Sequence, residues 1–146
     1  MDRLFVRQVR PARLRVWTPP DGPVAGIVEQ LVIEYAGRVG HPSSYGLLGG
    51  SLSTSTHPVE LRLDGEPFAA TMAAREDAAR FGLPAEYSTA VASALSDGVV
   101  VTVAAHGLAS SSQLVFASLA SALSRWLAAG LPDDPDVMWE QFGSLR

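Results

Sequence analysis

The stretch Val99-Val100-Val101-Thr102-Val103 constrains the fold more than any other part of the sequence. Four valines and a threonine without polar alternation fit an extended strand, central in its sheet and covered on both faces. Helix signals flank it. Leu83-Pro84-Ala85-Glu86-Tyr87 opens a helix expected to reach Leu95. Pro84 is expected at its first helical position, where a missing N–H has no partner to lose. Asp97-Gly98 stops it. After the strand, Ala104 to Ala109 is predicted to turn, and Ser110-Ser111-Ser112 supplies the cap of a second helix. Val115, Leu119, Ala122, Leu123 and Trp126 give that helix one apolar face through Ala128, with Ser118, Ser121 and Arg125 on other sides. Gly130 closes it.

Upstream, strand signals dominate. Leu4-Phe5-Val6 and Leu14-Arg15-Val16-Trp17 read as two short strands. Pro19-Pro20-Asp21-Gly22-Pro23 is a turn. Val24 to Tyr35 is β-branched and reads as a long strand. A helix also fits there, because positions 24, 27, 28 and 31 follow the helical period. Ala36 to Ser44 is a loop, and Tyr45 to Thr56 is either an irregular strand or a mobile loop. Val59 to Leu63 alternates and ends in an Asp64-Gly65 hairpin turn, with Phe68 to Met72 returning. Ala73 to Arg80 reads as a helix stopped by Gly82. The expected organisation is one α+β domain over residues 1–130. An acidic C-terminal tail follows over 131–146, with a short helix near Val137-Met138-Trp139.

Composition removes several function classes. A hydrophobic share of 47% against 18% charged is too apolar for a disordered chain. No cysteine is present, so disulfides, thiolate catalysis and thiolate-bound zinc are excluded. All 11 residues of the lysine-plus-arginine count are arginine. A Walker phosphate loop and Schiff-base catalysis both need a lysine, and both are excluded. Charged residues break up the N-terminus too often for a signal peptide, and no apolar run approaches membrane-span length. The expected location is therefore cytoplasmic. Net charge is −4, against the basic face usual for a general nucleic-acid binder. Arg3, Arg7, Arg10, Arg13 and Arg15 nevertheless crowd the N-terminus. They read as a solvated edge strand, with an anion or RNA-backbone surface as the alternative.

Residues that carry reactive groups have structural readings as well. His41, His57 and His106 lack the spacing of a helical zinc site, so no metal and no cofactor is expected. Ser110 to Ser112 beside His106 resemble a nucleophile and base only superficially, because serine before an apolar helical stripe is a cap. No catalytic residue is assigned. Gly46-Leu47-Leu48-Gly49-Gly50-Ser51 is read as a flexible loop in preference to a phosphate cradle. Glu76-Asp77 with Arg75 and Arg80 reads as a solvated helix face.

Two motifs resemble a known family. Leu83-Pro84-Ala85-Glu86-Tyr87-Ser88-Thr89-Ala90-Val91 is similar to the Ile-Pro-x-Glu-Tyr-x-x-Ala-Val helix start in domain IV of bacterial elongation factor G. Ser110-Ser111-Ser112-Gln113-Leu114-Val115-Phe116 is similar to that domain's Asp-Ser-Ser-Glu-x-Ala-Phe helix start. The resemblance covers residues 83–116. It implies a small three- or four-stranded sheet with two main helices on one face and a left-handed β-α-β crossover. Ser110 stands where the family has an acid. The turn holding His106-Gly107 is shorter than the family's histidine-bearing turn.

Three functions follow as expectations. The first is a non-enzymatic binding module for RNA, the ribosome or a protein, using Arg38, His41, His106, Gly107 and Ser110 on its tip loops. The second is a small enzyme or ligand-binding domain with a pocket lined by Tyr45, His57 and His106. The third is a homodimer formed through the exposed side of the sheet.

Overall fold

The computed structural model describes residues 4–9, 12–18, 30–37, 45–52, 79–107 and 111–143. They form an α+β fold. Strands β1 (Leu4–Val9), β2 (Ala12–Trp17), β3 (Gln30–Ala36), β4 (Tyr45–Ser51), β5 (Ala79–Phe81) and β6 (Val100–Gly107) lie in one sheet. Its order is β1-β2-β3-β4-β6-β5, and every neighbouring pair is antiparallel. Helices α1 (Ala85–Ala94), α2 (Gln113–Ala129) and α3 (Pro135–Gly143) accompany the sheet among the described residues.

All three helices pack on one face. Strand residues Leu14, Val16, Leu31, Ile33, Tyr35, Leu48, Val101 and Ala104 meet Val91 of α1, the apolar stripe of α2, and Met138 and Phe142 of α3. The opposite face holds Trp17, Val32, Ala36, Tyr45, Leu47 and Ala105, also buried. β3 is therefore buried on both sides from Leu31 to Ala36, which explains its nearly unbroken apolar sequence. A homodimer through an exposed sheet face has no such face at these residues.

β4 and β6 differ by one residue in register between Gly49/Val103 and Gly50/Val101, which leaves Thr102 as a bulge. The bulge reverses the alternation of β6. Val101 joins the helix-side core, while Val103, two residues on, packs against the opposite cluster.

Local chemistry sets the helix ends. Ser112 caps α2 by accepting from the Val115 N–H at 3.3 Å, and Gly130 ends it at φ 89°. Pro84 is the residue before α1 and not its first helical one. Its ψ of 147° is extended, and its carbonyl accepts the Tyr87 N–H. Gly98, at φ 86°, turns the chain from α1 into β6. Asp134 accepts the Asp136 N–H on its side chain, and Pro135 starts α3.

Several expectations are corrected. Among the described residues the sheet has six strands, more than the three or four expected, and its middle pair is β3 and β4. β6 lies one place from the edge. It runs on to Gly107 where a turn from Ala104 was expected, because Ala79 to Phe81 pair with its last residues. That pairing also makes Ala79 to Phe81 a strand where the end of a helix was expected. Of the two readings for Tyr45 to Thr56, the strand holds over Tyr45 to Ser51, paired on both sides, and the flexible loop does not. Among the described residues no helix joins two parallel strands. α1 links the antiparallel neighbours β5 and β6, and α2 leads into α3, so neither forms the expected left-handed β-α-β crossover. β4 and β5 run parallel on either side of β6, and residues 53–78, which join them, lie outside the described residues. The stretch expected as an acidic tail gives Leu131, Met138 and Phe142 to the core. Ser118, expected off the core face, is buried and donates to the Leu114 carbonyl.

The Pro19–Pro23 turn, residues 24–29 of the long strand, the strands at 59–63 and 68–72, and residues 73–78 of the expected helix lie outside the described residues. So do Arg3, Arg10, Arg38, His41, His57 and Ser110.

Candidate functional site

One corner of the fold gathers the ends of both predicted tip loops. Ala36 and Tyr45, which bracket residues 37–44, are partners at the end of the β3–β4 ladder. Gly107 and Ser111 bracket residues 108–110. The Ser111 hydroxyl joins the two pairs: it accepts from the Gly107 N–H at 2.9 Å and donates to the Tyr45 carbonyl at 2.6 Å.

α1 enters the same corner. Tyr87 donates its hydroxyl to the Ser111 carbonyl at 2.9 Å, and its ring stacks on Phe116 with centroids 5.1 Å apart. Gln113 donates to the Glu86 carbonyl at 3.2 Å. Further along, the Ser96 N–H donates to the Ser124 hydroxyl. Contacts run from start to start and onward in the same order, so α1 and α2 are parallel and both begin at this corner. Leu114, in the first turn of α2, is 61% exposed beside it.

His106 is buried at 3% exposure, in β6 opposite Arg80. Its Nδ1 lies 3.0 Å from the Gly82 carbonyl. A carbonyl only accepts, so Nδ1 carries the proton, and a neutral ring keeps Nε2 as its acceptor. The imidazole thus holds the chain where it leaves β5 for α1. The Gly82 N–H, bonded to the Ala104 carbonyl, fixes the same turn.

Tyr45 and His106 do not converge. Strand alternation places His106 on the side of Ala104, whereas Tyr45 packs with Leu47 and Ala105 on the other. The Tyr45 hydroxyl donates to Glu34 Oε2 at 2.7 Å. Glu34 is 0% exposed, with Arg15 Nη1 3.9 Å from its Oε1. A single pocket lined by both Tyr45 and His106 therefore does not form. Gly107 is at the corner, and His106 is next to it with its ring committed to Gly82. Among the described residues no group of three or more metal-capable side chains assembles, and no helix is long and apolar enough to cross a membrane.

Gly46 to Ser51 is not the flexible loop expected but part of β4, paired on both sides. Gly46 and Gly50 face α2 from within β4: a Cβ on Gly46 would lie 2.8 Å from Leu119 Cδ1 and 2.9 Å from Val115 Cγ1. The glycines let the helix sit directly on the strand.

In the sequence Ser111 and Tyr87 figure only within their motifs, neither with a role at this corner, and Glu34 is passed over. Glu34 carries the clearest signal, a charge inside Leu31-Val32-Ile33-Glu34-Tyr35-Ala36. Comparison with protein-family models, with curated proteins and with solved structures returned no match.

Proposed function

We propose that the chain is a non-enzymatic binding module that presents this corner to RNA on a ribosomal partner. The observation that carries the reading is the meeting, through Ser111, of the residues flanking both predicted tip loops. Three features support it. The two motifs that resemble domain IV of elongation factor G stand at the starts of α1 and α2, with β6 between them. The polar side chains there, Ser111, Tyr87, Gln113 and His106, each hold backbone, which is the work of a scaffold that displays its loops. Leu114 adds an exposed apolar contact to a polar rim.

Arg38, His41, Gly107 and Ser110 are the contact residues of this reading, with His106 behind them. The net charge of −4 makes a local contact the fitting mode, in place of a broad basic surface. Co-sedimentation with bacterial ribosomes tests it. The chain is expected in the ribosomal pellet at low salt and is expected to leave it as salt rises, because phosphate contacts are salt-sensitive. A chain that stays in the supernatant at low salt refutes the proposal.

A further inference from the structure

We infer that Ser111 is the positioning residue of this binding corner. The inference rests on the proposed function, since it names what holds that surface in shape.

Three elements converge on this one residue. Its hydroxyl has one proton to give and lone pairs to accept with, and both capacities are used: the proton goes to the Tyr45 carbonyl, 66 positions away, and a lone pair takes the Gly107 N–H. Its carbonyl takes the Tyr87 hydroxyl, 24 positions away. The start of β4, the end of β6 and the first turn of α1 are thereby tied to one point. Ser111 does not cap α2; the neighbouring Ser112 does that. Its two hydroxyl bonds therefore serve the corner and not the helix.

The consequence for binding is preorganisation. The recorded β4–β6 partners end at Leu47 and Ala105, and beyond them the Ser111 hydroxyl links Tyr45 to Gly107. Without it, a partner must order the corner on arrival, and that cost is subtracted from affinity. Alanine removes both hydroxyl bonds, whereas threonine keeps an oxygen able to make both. Tyr87→Phe removes the bond to the Ser111 carbonyl and keeps the ring on Phe116. Gln141→Ala is the distant control. It removes the acceptor of the Trp126 Nε1 bond, 2.7 Å long, near the far end of α2.

The test pairs amide hydrogen exchange with ribosome co-sedimentation on the full chain. In Ser111→Ala, exchange at the Gly107 amide is expected to rise roughly fivefold, the loss of one hydrogen bond. Ribosome affinity is expected to fall on the order of tenfold. Ser111→Thr should restore both, and Tyr87→Phe should fall between. If Ser111→Ala does not fold, the Tyr87→Phe and Ser111→Thr pair carries the same comparison. Gln141→Ala should leave both readouts at the wild-type level. Unchanged Gly107 exchange in Ser111→Ala overturns the inference, as does full ribosome binding by a variant whose Gly107 has lost protection. An equal loss of binding in Gln141→Ala overturns it too. If the wild-type chain does not sediment, the proposed function fails, and Gly107 exchange still decides whether Ser111 positions the corner.

Discussion

Alanine at Gly46 or Gly50 separates two readings of the glycine-rich segment by the sign of the effect. In a flexible loop, glycine to alanine stabilises a protein by about 0.4–1 kcal/mol, because the unfolded chain loses freedom. In β4 the added methyl meets α2 or β6. At Gly46 it would lie 2.8 Å from Leu119 Cδ1 and 2.9 Å from Val115 Cγ1, both buried and held by the core. At Gly50 it would collide with the Val100 carbonyl oxygen and lie 3.3 Å from Leu123 Cδ2. Overpacking of this kind costs about 1–3 kcal/mol. A leucine methyl can shift by a few tenths of an ångström, whereas the Val100 carbonyl belongs to a paired strand next to the bulge. Gly46→Ala is therefore expected to destabilise by about 1–2 kcal/mol after the entropic gain is deducted, and Gly50→Ala by roughly 2–3 kcal/mol. At about 3–4 °C per kcal/mol for a chain of this length, Gly50→Ala should lower Tm by roughly 6–12 °C. Urea unfolding followed by circular dichroism gives the free energies, with an unchanged slope showing that the unfolded state is not the cause. A rise in Tm for both variants would refute the placement of β4 beneath α2. A larger loss at Gly46 than at Gly50 would refute the bulge geometry.

Two other substitutions probe opposite faces of the sheet. Tyr45→Phe takes the hydroxyl from Glu34 Oε2 and leaves a fully buried carboxylate with one donor fewer; a loss of about 1–3 kcal/mol in urea unfolding is expected, and a neutral result would mean the bond is not made in solution. Phe142→Ala empties a buried site against Tyr35, whose ring centroid is 5.1 Å away. It should cost about 3–5 kcal/mol, whereas residues 131–146 acting as a detached tail would leave the thermal midpoint unchanged.

How much of this fold the sequence disclosed depends on whether the deciding partner is near or far along the chain. Pro84, Ser112 and Gly130 act on residues within one helical turn, and the helix ends they mark fall within a residue of expectation. The alternation of Leu14 and Val16 against Trp17 is likewise local and correctly divides the two faces of β2. Ala79-Arg80-Phe81 carries no such information. Three residues after an alanine-rich run look helical, and only the distant end of β6 makes them a strand. Gly46 and Gly50 mark flexibility when read alone. Set against Leu119, Val115 and the Val100 carbonyl, the same absence of a side chain becomes close packing. The C-terminal helix was more legible than the acidic composition suggested. Asp134-Pro135 is a helix start, and Met138 and Phe142 stand four residues apart on its buried side.

The same distinction bears on the candidate site. Three consecutive serines before an apolar stripe account for one cap, and the cap falls to Ser112. The hydroxyl of Ser111 is then surplus to the helix, and its partners, Gly107 and Tyr45, lie on two different strands. A serine near a histidine invites a catalytic reading, but the partners decide the matter here: His106 Nδ1 is held by the Gly82 carbonyl, and the Ser111 proton by the Tyr45 carbonyl. Both reactive-looking groups, His106 and Ser111, spend their hydrogen bonds on backbone at the ends of strands, away from the main helix-side core. This is why the corner, and not the core beneath it, is where single substitutions should separate binding from stability.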